Sequence, residues 1–126
     1  MTRRILVVED QEDNRMILRD LLNSAGYEVL EAVDGVEGVR MALAERPDLI
    51  LMDIQMPGVD GYEATRSIKA EPGFAAIPIL AVTSYALSGD DQKARAAGCD
   101  DYVTKPFSPR ALLAKVVEWL ERTADA

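Results

Sequence analysis

The chain contains no histidine, so any proton transfer or metal binding falls to carboxylates, lysine, tyrosine, hydroxyls or the backbone. Its single cysteine, Cys99, excludes an intrachain disulfide and points to a reducing, cytoplasmic compartment. Lying between Gly98 and an apolar strand, Cys99 reads as a small buried side chain rather than a redox sensor. Basic residues are scarce: 14 Lys and Arg stand against 22 Asp and Glu, for a net charge of −8. A surface this acidic lacks the cations that neutralise phosphates and argues against direct nucleic-acid binding. Long apolar runs are missing too. The four residues Ile5–Val8 after Arg3 and Arg4 are too few for an export-signal core, which needs about 7 to 15. No stretch approaches the roughly 20 residues of a membrane span, so a soluble protein without membrane association is expected.

What is present is a regular alternation. With 126 residues, 48% of them hydrophobic, the chain is expected to form one domain over 1–126, with its core at about 3–122. Short apolar runs at Ile5–Val8, Val29–Ala32, Leu49–Met52, Ile79–Val82 and Tyr102–Val103 read as strands. Three of them are continuous rather than alternating, as in parallel strands covered on both faces. Helical patterns fill the intervals. The first carries Ile17, Leu18, Leu21, Leu22 and Ala25 on one stripe and stops at Gly26, a left-handed cap. Asp34 with Glu37, and Asp60 with Glu63, have capping-box spacing at the second and third. The second closes before Pro47.

The last helix starts at Ser108-Pro109 and is expected to bury Leu112, Leu113, Val116, Val117 and Leu120, with Trp119 beside the stripe as a packing or partner residue. The segment Asp90–Ala97 offers only alanines and should dock loosely. Five βα units with right-handed crossovers give an α/β fold: a doubly wound, five-stranded parallel sheet of order 2-1-3-4-5 in a flavodoxin-like three-layer sandwich.

Ligands of such sheets bind beyond the carboxyl ends of the strands, where strand order reverses. The first strand delivers Glu9 and Asp10 there, the third Asp53, the fourth Thr83 and the fifth Lys105. The second ends in Ala32 and Val33, as suits an edge strand. Glu9, Asp10 and Asp53 should converge, and Lys105 alone cannot offset three like charges. Mg²⁺, or Mn²⁺ in its place, suits one or two carboxylates plus waters and a phosphate oxygen. Together with a lysine and a hydroxyl, this set describes phosphoryl transfer to a carboxylate. Asp53 is the expected acceptor, Glu9 and Asp10 the metal holders, and Thr83 a hydrogen-bond partner of the product.

The motifs Ile-Leu-Val-Val-Glu9-Asp10, Leu-Met-Asp53-Ile-Gln-Met-Pro57-Gly58 with Asp60-Gly61, Val-Thr83-Ser84 and Tyr102-Val-Thr-Lys105-Pro106-Phe107 run through the chain in order. In that combination the sequence resembles the response-regulator receiver domain of two-component signalling. The resemblance implies a histidine kinase or histidine phosphotransfer protein as donor. It also implies the Gln55 backbone carbonyl as a further metal ligand, Thr83 and Tyr102 as a switch pair, and Lys105 as the phosphate-binding cation. A cis Lys105–Pro106 peptide is expected with it. Tyr102 has a plainer reading as a strand aromatic at the rim, and Gly58 and Gly61 are read as turn residues.

New charge at Asp53 would draw Thr83 inward, let Tyr102 follow, and shift the face made by the fourth helix, fifth strand and fifth helix toward a downstream protein. Tyr85, two residues after Thr83, is expected to shield the acyl phosphate from water, and Gln55 to modulate it. No turnover is expected beyond the chain's own phosphorylation and dephosphorylation. A haloacid-dehalogenase-type phosphatase would need an aspartate where Gln55 stands. A flavin carrier would not place Glu9-Asp10-Gln11-Glu12-Asp13 at its phosphate loop. A docking module that takes no phosphate remains a third reading. No output domain follows the last helix, so a stand-alone regulator or shuttle is expected, with an excised receiver as the alternative. The same face could also serve a monomer or a homodimer.

Overall fold

The computed structural model describes residues 2–83, 90–105 and 108–124. Ten elements alternate along the chain: β1 Arg4–Val8, α1 Glu12–Ser24, β2 Glu28–Ala32, α2 Gly35–Glu45, β3 Leu49–Asp53, α3 Gly61–Ala70, β4 Ile79–Thr83, α4 Asp90–Ala97, β5 Asp101–Thr104 and α5 Pro109–Ala124. All strand pairings are parallel and the order is β2-β1-β3-β4-β5. The register sets Val8 beside both Ala32 and Met52, Asp53 beside Val82, and Thr83 beside Thr104. The strand order and the βα alternation agree with the sequence reading.

The continuous hydrophobicity of the strands has a direct structural counterpart. Ile5, Val7, Leu49, Leu51, Leu80 and Val82 face a core completed by Leu18 and Leu22 of α1 and by Leu112, Val116 and Leu120 of α5. Their neighbours Leu6, Val8, Ile50, Met52 and Ala81 face the opposite core, with Ala42 of α2, Ala64 and Ile68 of α3, and Ala94 of α4. Each fully buried aliphatic side chain contributes about 1.5–3 kcal/mol relative to an exposed one, so α1 and α5 are firmly held. Among its described side chains, the α4 helix buries only the methyl groups of Ala94 and Ala97, which at about 0.8 kcal/mol per methylene-sized group is a far weaker anchor.

The expected caps form. Asp34 accepts the Glu37 N–H at 2.8 Å, Asp60 accepts the Glu63 N–H at 3.0 Å, and Ser108 Oγ accepts the Ala111 N–H at 3.3 Å. Glu37 reaches back to the Val33 N–H at 3.2 Å, one residue earlier than a strict capping box. Two helical stripes are narrower than expected. Ile17 is 54% exposed and Val117 42% exposed, because the sheet contacts of α1 and α5 run through Leu18/Leu22 and Leu112/Val116/Leu120. Ala25 also lies exposed, just past the end of α1. Among the described residues, no helix is long and apolar enough to cross a membrane.

Candidate phosphoryl-acceptor site

Three strands end together because β1 and β3 are neighbours and β4 adjoins β3. Glu9 follows β1 directly and is 1% exposed; its N–H extends the ladder to the Ala32 carbonyl at 3.1 Å. Its side chain is gripped on both oxygens. Oε1 accepts Lys105 Nζ at 3.1 Å and Oε2 accepts the Gln11 N–H at 3.4 Å. Asp53, the last residue of β3, is 3% exposed. Its Oδ1 accepts the Gln55 N–H at 3.1 Å and lies 3.5 Å from Lys105 Nζ. Asp10 is half-buried, and its Oδ1 is buried without a hydrogen-bond partner among the described residues.

One oxygen from each of Glu9, Asp10 and Asp53 falls within 4.8 Å of the others. Burial pushes the Glu9 carboxyl above its ordinary pKa, the adjoining Asp53 pushes it further, and Lys105 pulls it back only in part. One lysine against three carboxylates leaves this end of the sheet short of positive charge. An orphaned carboxylate oxygen in a tight set of hard oxygen donors, with net negative charge, fits a divalent cation of the Mg²⁺ class.

Thr83 closes β4 and is 4% exposed; its carbonyl accepts the Lys105 N–H at 2.7 Å, which ties the β4 end to the lysine. Tyr102 lies on β5 beside Ala81, half-buried against the core shared with α2, α3 and α4 and outside the acidic cluster. The Gln55 side chain is exposed, and it is the residue's N–H that touches Asp53. Tyr85 and the Lys105–Pro106 peptide fall outside the described residues.

The residue pattern left some contributors unread. Arg15 of α1 donates through Nη1 to the Glu9 carbonyl at 3.0 Å while pairing with Glu31 at 3.3 Å, so it braces the turn that carries both acids. Nothing in its neighbourhood along the chain signals that contact. Gly58 does hold a turn conformation, with φ 77°. Gly61 does something else. A Cβ there would stand 2.4 Å from the Asp53 carbonyl oxygen and 2.7 Å from the Ile54 Cα. Only a glycine lets α3 start this close to the end of β3, and the Asp60 cap beside it was the available clue.

Known proteins share this arrangement. The family profile for the response regulator receiver domain matches residues 5–117. The chain belongs to the response-regulator receiver family. Among curated receivers, it is 39% identical over 120 residues to the polar-differentiation response regulator DivK of Brucella ovis, covering 95% of this chain and 98% of that protein. Solved receivers overlay it closely. The receiver domain of sensor histidine kinase PA1611 from Pseudomonas aeruginosa, solved with a magnesium ion coordinated in the active site cleft, is 40% identical with a TM-score of 0.90, covering 96% of this chain and 99% of that one. The chemotaxis protein CheY4 of Vibrio cholerae is 30% identical with a TM-score of 0.89, covering 94% and 98%. Receiver architecture accounts for the doubly wound sheet and for the convergence of acids at its carboxyl end.

Proposed function

We propose that this receiver accepts a phosphoryl group on Asp53 from a histidine kinase or histidine phosphotransfer protein and signals through the face built from α4, β5 and α5. The observation that carries this is the unbalanced cluster: a nearly buried Asp53 beside Glu9, Asp10 and a single Lys105. Asp10, Asp53 and Glu9, with the Gln55 carbonyl as a further donor, would hold Mg²⁺ or Mn²⁺. When bound, the ion supplies positive charge opposite the phosphoryl oxygens.

An Asp53 oxygen attacks phosphorus as the P–N bond of a phosphohistidine breaks; the bond's electron pair stays with the imidazole, and Asp53 becomes an acyl phosphate. Lys105 keeps one charge against the transferred oxygens, and Thr83 hydrogen-bonds to the product. The 126 residues contain no histidine, so the donor group lies outside this domain. The added charge of about −1.5 to −2 draws Thr83 inward, and Tyr102 follows. The weakly anchored α4 then moves at low cost. Tyr85 shields the acyl phosphate from water. Catalysis is limited to the domain's own phosphorylation and dephosphorylation, in a cytoplasmic regulator or shuttle.

Intact mass after incubation with a small-molecule phosphodonor tests the reading. One phosphoryl adduct that requires both Mg²⁺ and Asp53, and disappears in Asp53→Asn, supports it. No adduct under any condition favours a docking module that partners read in one fixed shape.

A further inference from the structure

The two residues that begin β5 are tied to α5 by a compact polar clamp with no part in the acidic site. Asp101 accepts Lys115 Nζ at 2.9 Å, the Trp119 indole N–H at 3.0 Å and the Tyr102 backbone N–H at 2.8 Å. Burial alone would raise its pKa. The indole, ammonium and amide donors outweigh burial and hold the carboxyl below its ordinary value. The same Lys115 ammonium lies 5.4 Å from the centre of the Tyr102 ring, within the range of a cation–π contact. Arg122 stacks on Trp119 at 4.4 Å. Tyr102 borders a cleft of about 540 Å³ whose other walls include Arg95, Ser108 and Ala111, so its ring has room to take a second position.

We propose that Lys115, steered by Asp101, is a positioning residue that holds the Tyr102 ring in its unphosphorylated place and reports the ring's departure to α5. The proposal rests on the receiver reading above, since it presupposes that Tyr102 responds to charge at Asp53. If phosphorylation moves the ring, the cation–π contact is present in one state only. Lys115 therefore favours the unphosphorylated state, and its removal should shift the equilibrium toward the other by about two- to fivefold, the range of an exposed cation–π contact. Linkage makes the consequence measurable: a reversible phosphoryl mimic must then bind tighter by the same factor.

Trp119 is the chain's only tryptophan, so its indole N–H gives one resonance that reads the clamp directly. Beryllofluoride with Mg²⁺ is titrated into wild type, Lys115→Met, Lys115→Arg and Asp101→Asn, and the resonance is followed by NMR. In wild type the mimic is expected to move it. Lys115→Met should bind beryllofluoride two- to fivefold tighter, with a smaller movement of the resonance. Asp101→Asn, which frees the ammonium, should change in the same direction. Lys115→Arg, which keeps a cation over the ring, should return to wild-type affinity. Merely loosened packing would weaken binding or leave it alone. Equal or weaker binding by Lys115→Met overturns the inference, as does a wild-type indole resonance that does not respond to bound mimic. If beryllofluoride fails to bind even wild type, as judged by the amide resonances around Asp53, the receiver reading fails first and the inference with it.

Discussion

Both ends of the sheet carry a lysine among acidic and carbonyl oxygens, and the two are built to opposite purposes. At the amino end, Lys69 donates to the Ala75 carbonyl at 2.9 Å, the Ile77 carbonyl at 2.7 Å and Asp100 Oδ2 at 2.9 Å. That oxygen also accepts the Ile79 N–H at 2.8 Å. One cation meets one carboxylate, and the three ammonium protons have three acceptors. At the carboxyl end, Lys105 meets Glu9 and Asp53 with Asp10 alongside, and one Asp10 oxygen has no partner among the described residues. The closed set is a staple that joins α3 to the starts of β4 and β5. The open set has donor capacity left over, which the proposed cation and phosphoryl group would use. Residue types alone do not separate the two; the balance of charges and donors does.

Several changes break or sharpen that contrast, and the largest effect belongs to the staple. Lys69→Met strands the Asp100 carboxylate and two carbonyls. It should lower stability by about 2–4 kcal/mol in urea unfolding, since breaking a well-buried pair costs 3–5 and this one is partly exposed. Mg²⁺-dependent adduct formation by the folded fraction should be unchanged. Gly61→Ala drives a methyl group against the backbone of Asp53 and Ile54. A loss of about 1–3 kcal/mol is expected, this time with slower phosphoryl uptake because the acceptor itself is displaced. A mutant that loses stability but phosphorylates at the wild-type rate would show that the close approach serves packing alone.

Relieving the open set should have the reverse sign. The raised pKa of Glu9 means that its share of stability is fully present below the ordinary glutamate value of about 4.3 and is lost as pH rises through its folded value. Without a cation, Glu9→Gln should therefore gain roughly 1 kcal/mol at neutral pH, measured as a higher urea midpoint, and should bind Mg²⁺ more weakly. The smallest expected effect is at Asp101, whose lowered pKa works in the opposite sense. Its contribution is complete above the ordinary aspartate value of about 3.9 and fades as pH falls through the folded value. Asp101→Asn should cost below about 1 kcal/mol at neutral pH, with the gap to wild type closing in acid.

Much of the acidic end was legible in the sequence because strand ends announce themselves. Continuous apolar runs stop at Glu9, Asp53 and Thr83, and the strand order then brings those positions together. The caps at Asp34, Asp60 and Ser108 were equally plain, since capping depends on a residue and its third neighbour. Contacts that depend on distant partners stayed hidden. Lys69 and Asp100 are 31 positions apart, and nothing local marks them as a pair. Lys115 and Trp119 meet Asp101 across 14 and 18 positions. The exposure of Ile17 and Val117 was missed because a stripe of apolar residues on a helix can be wider than the strip the sheet covers.

The most direct test of the central claim is to locate the phosphoryl group itself. Borohydride reduces an acyl phosphate of aspartate to homoserine, which peptide mass spectrometry can place. After incubation with a phosphodonor and Mg²⁺, the account predicts homoserine at position 53 and at no other carboxylate, and none when Mg²⁺ is withheld. Homoserine at position 10, or an adduct on a hydroxyl or amine that survives borohydride unchanged, would contradict it.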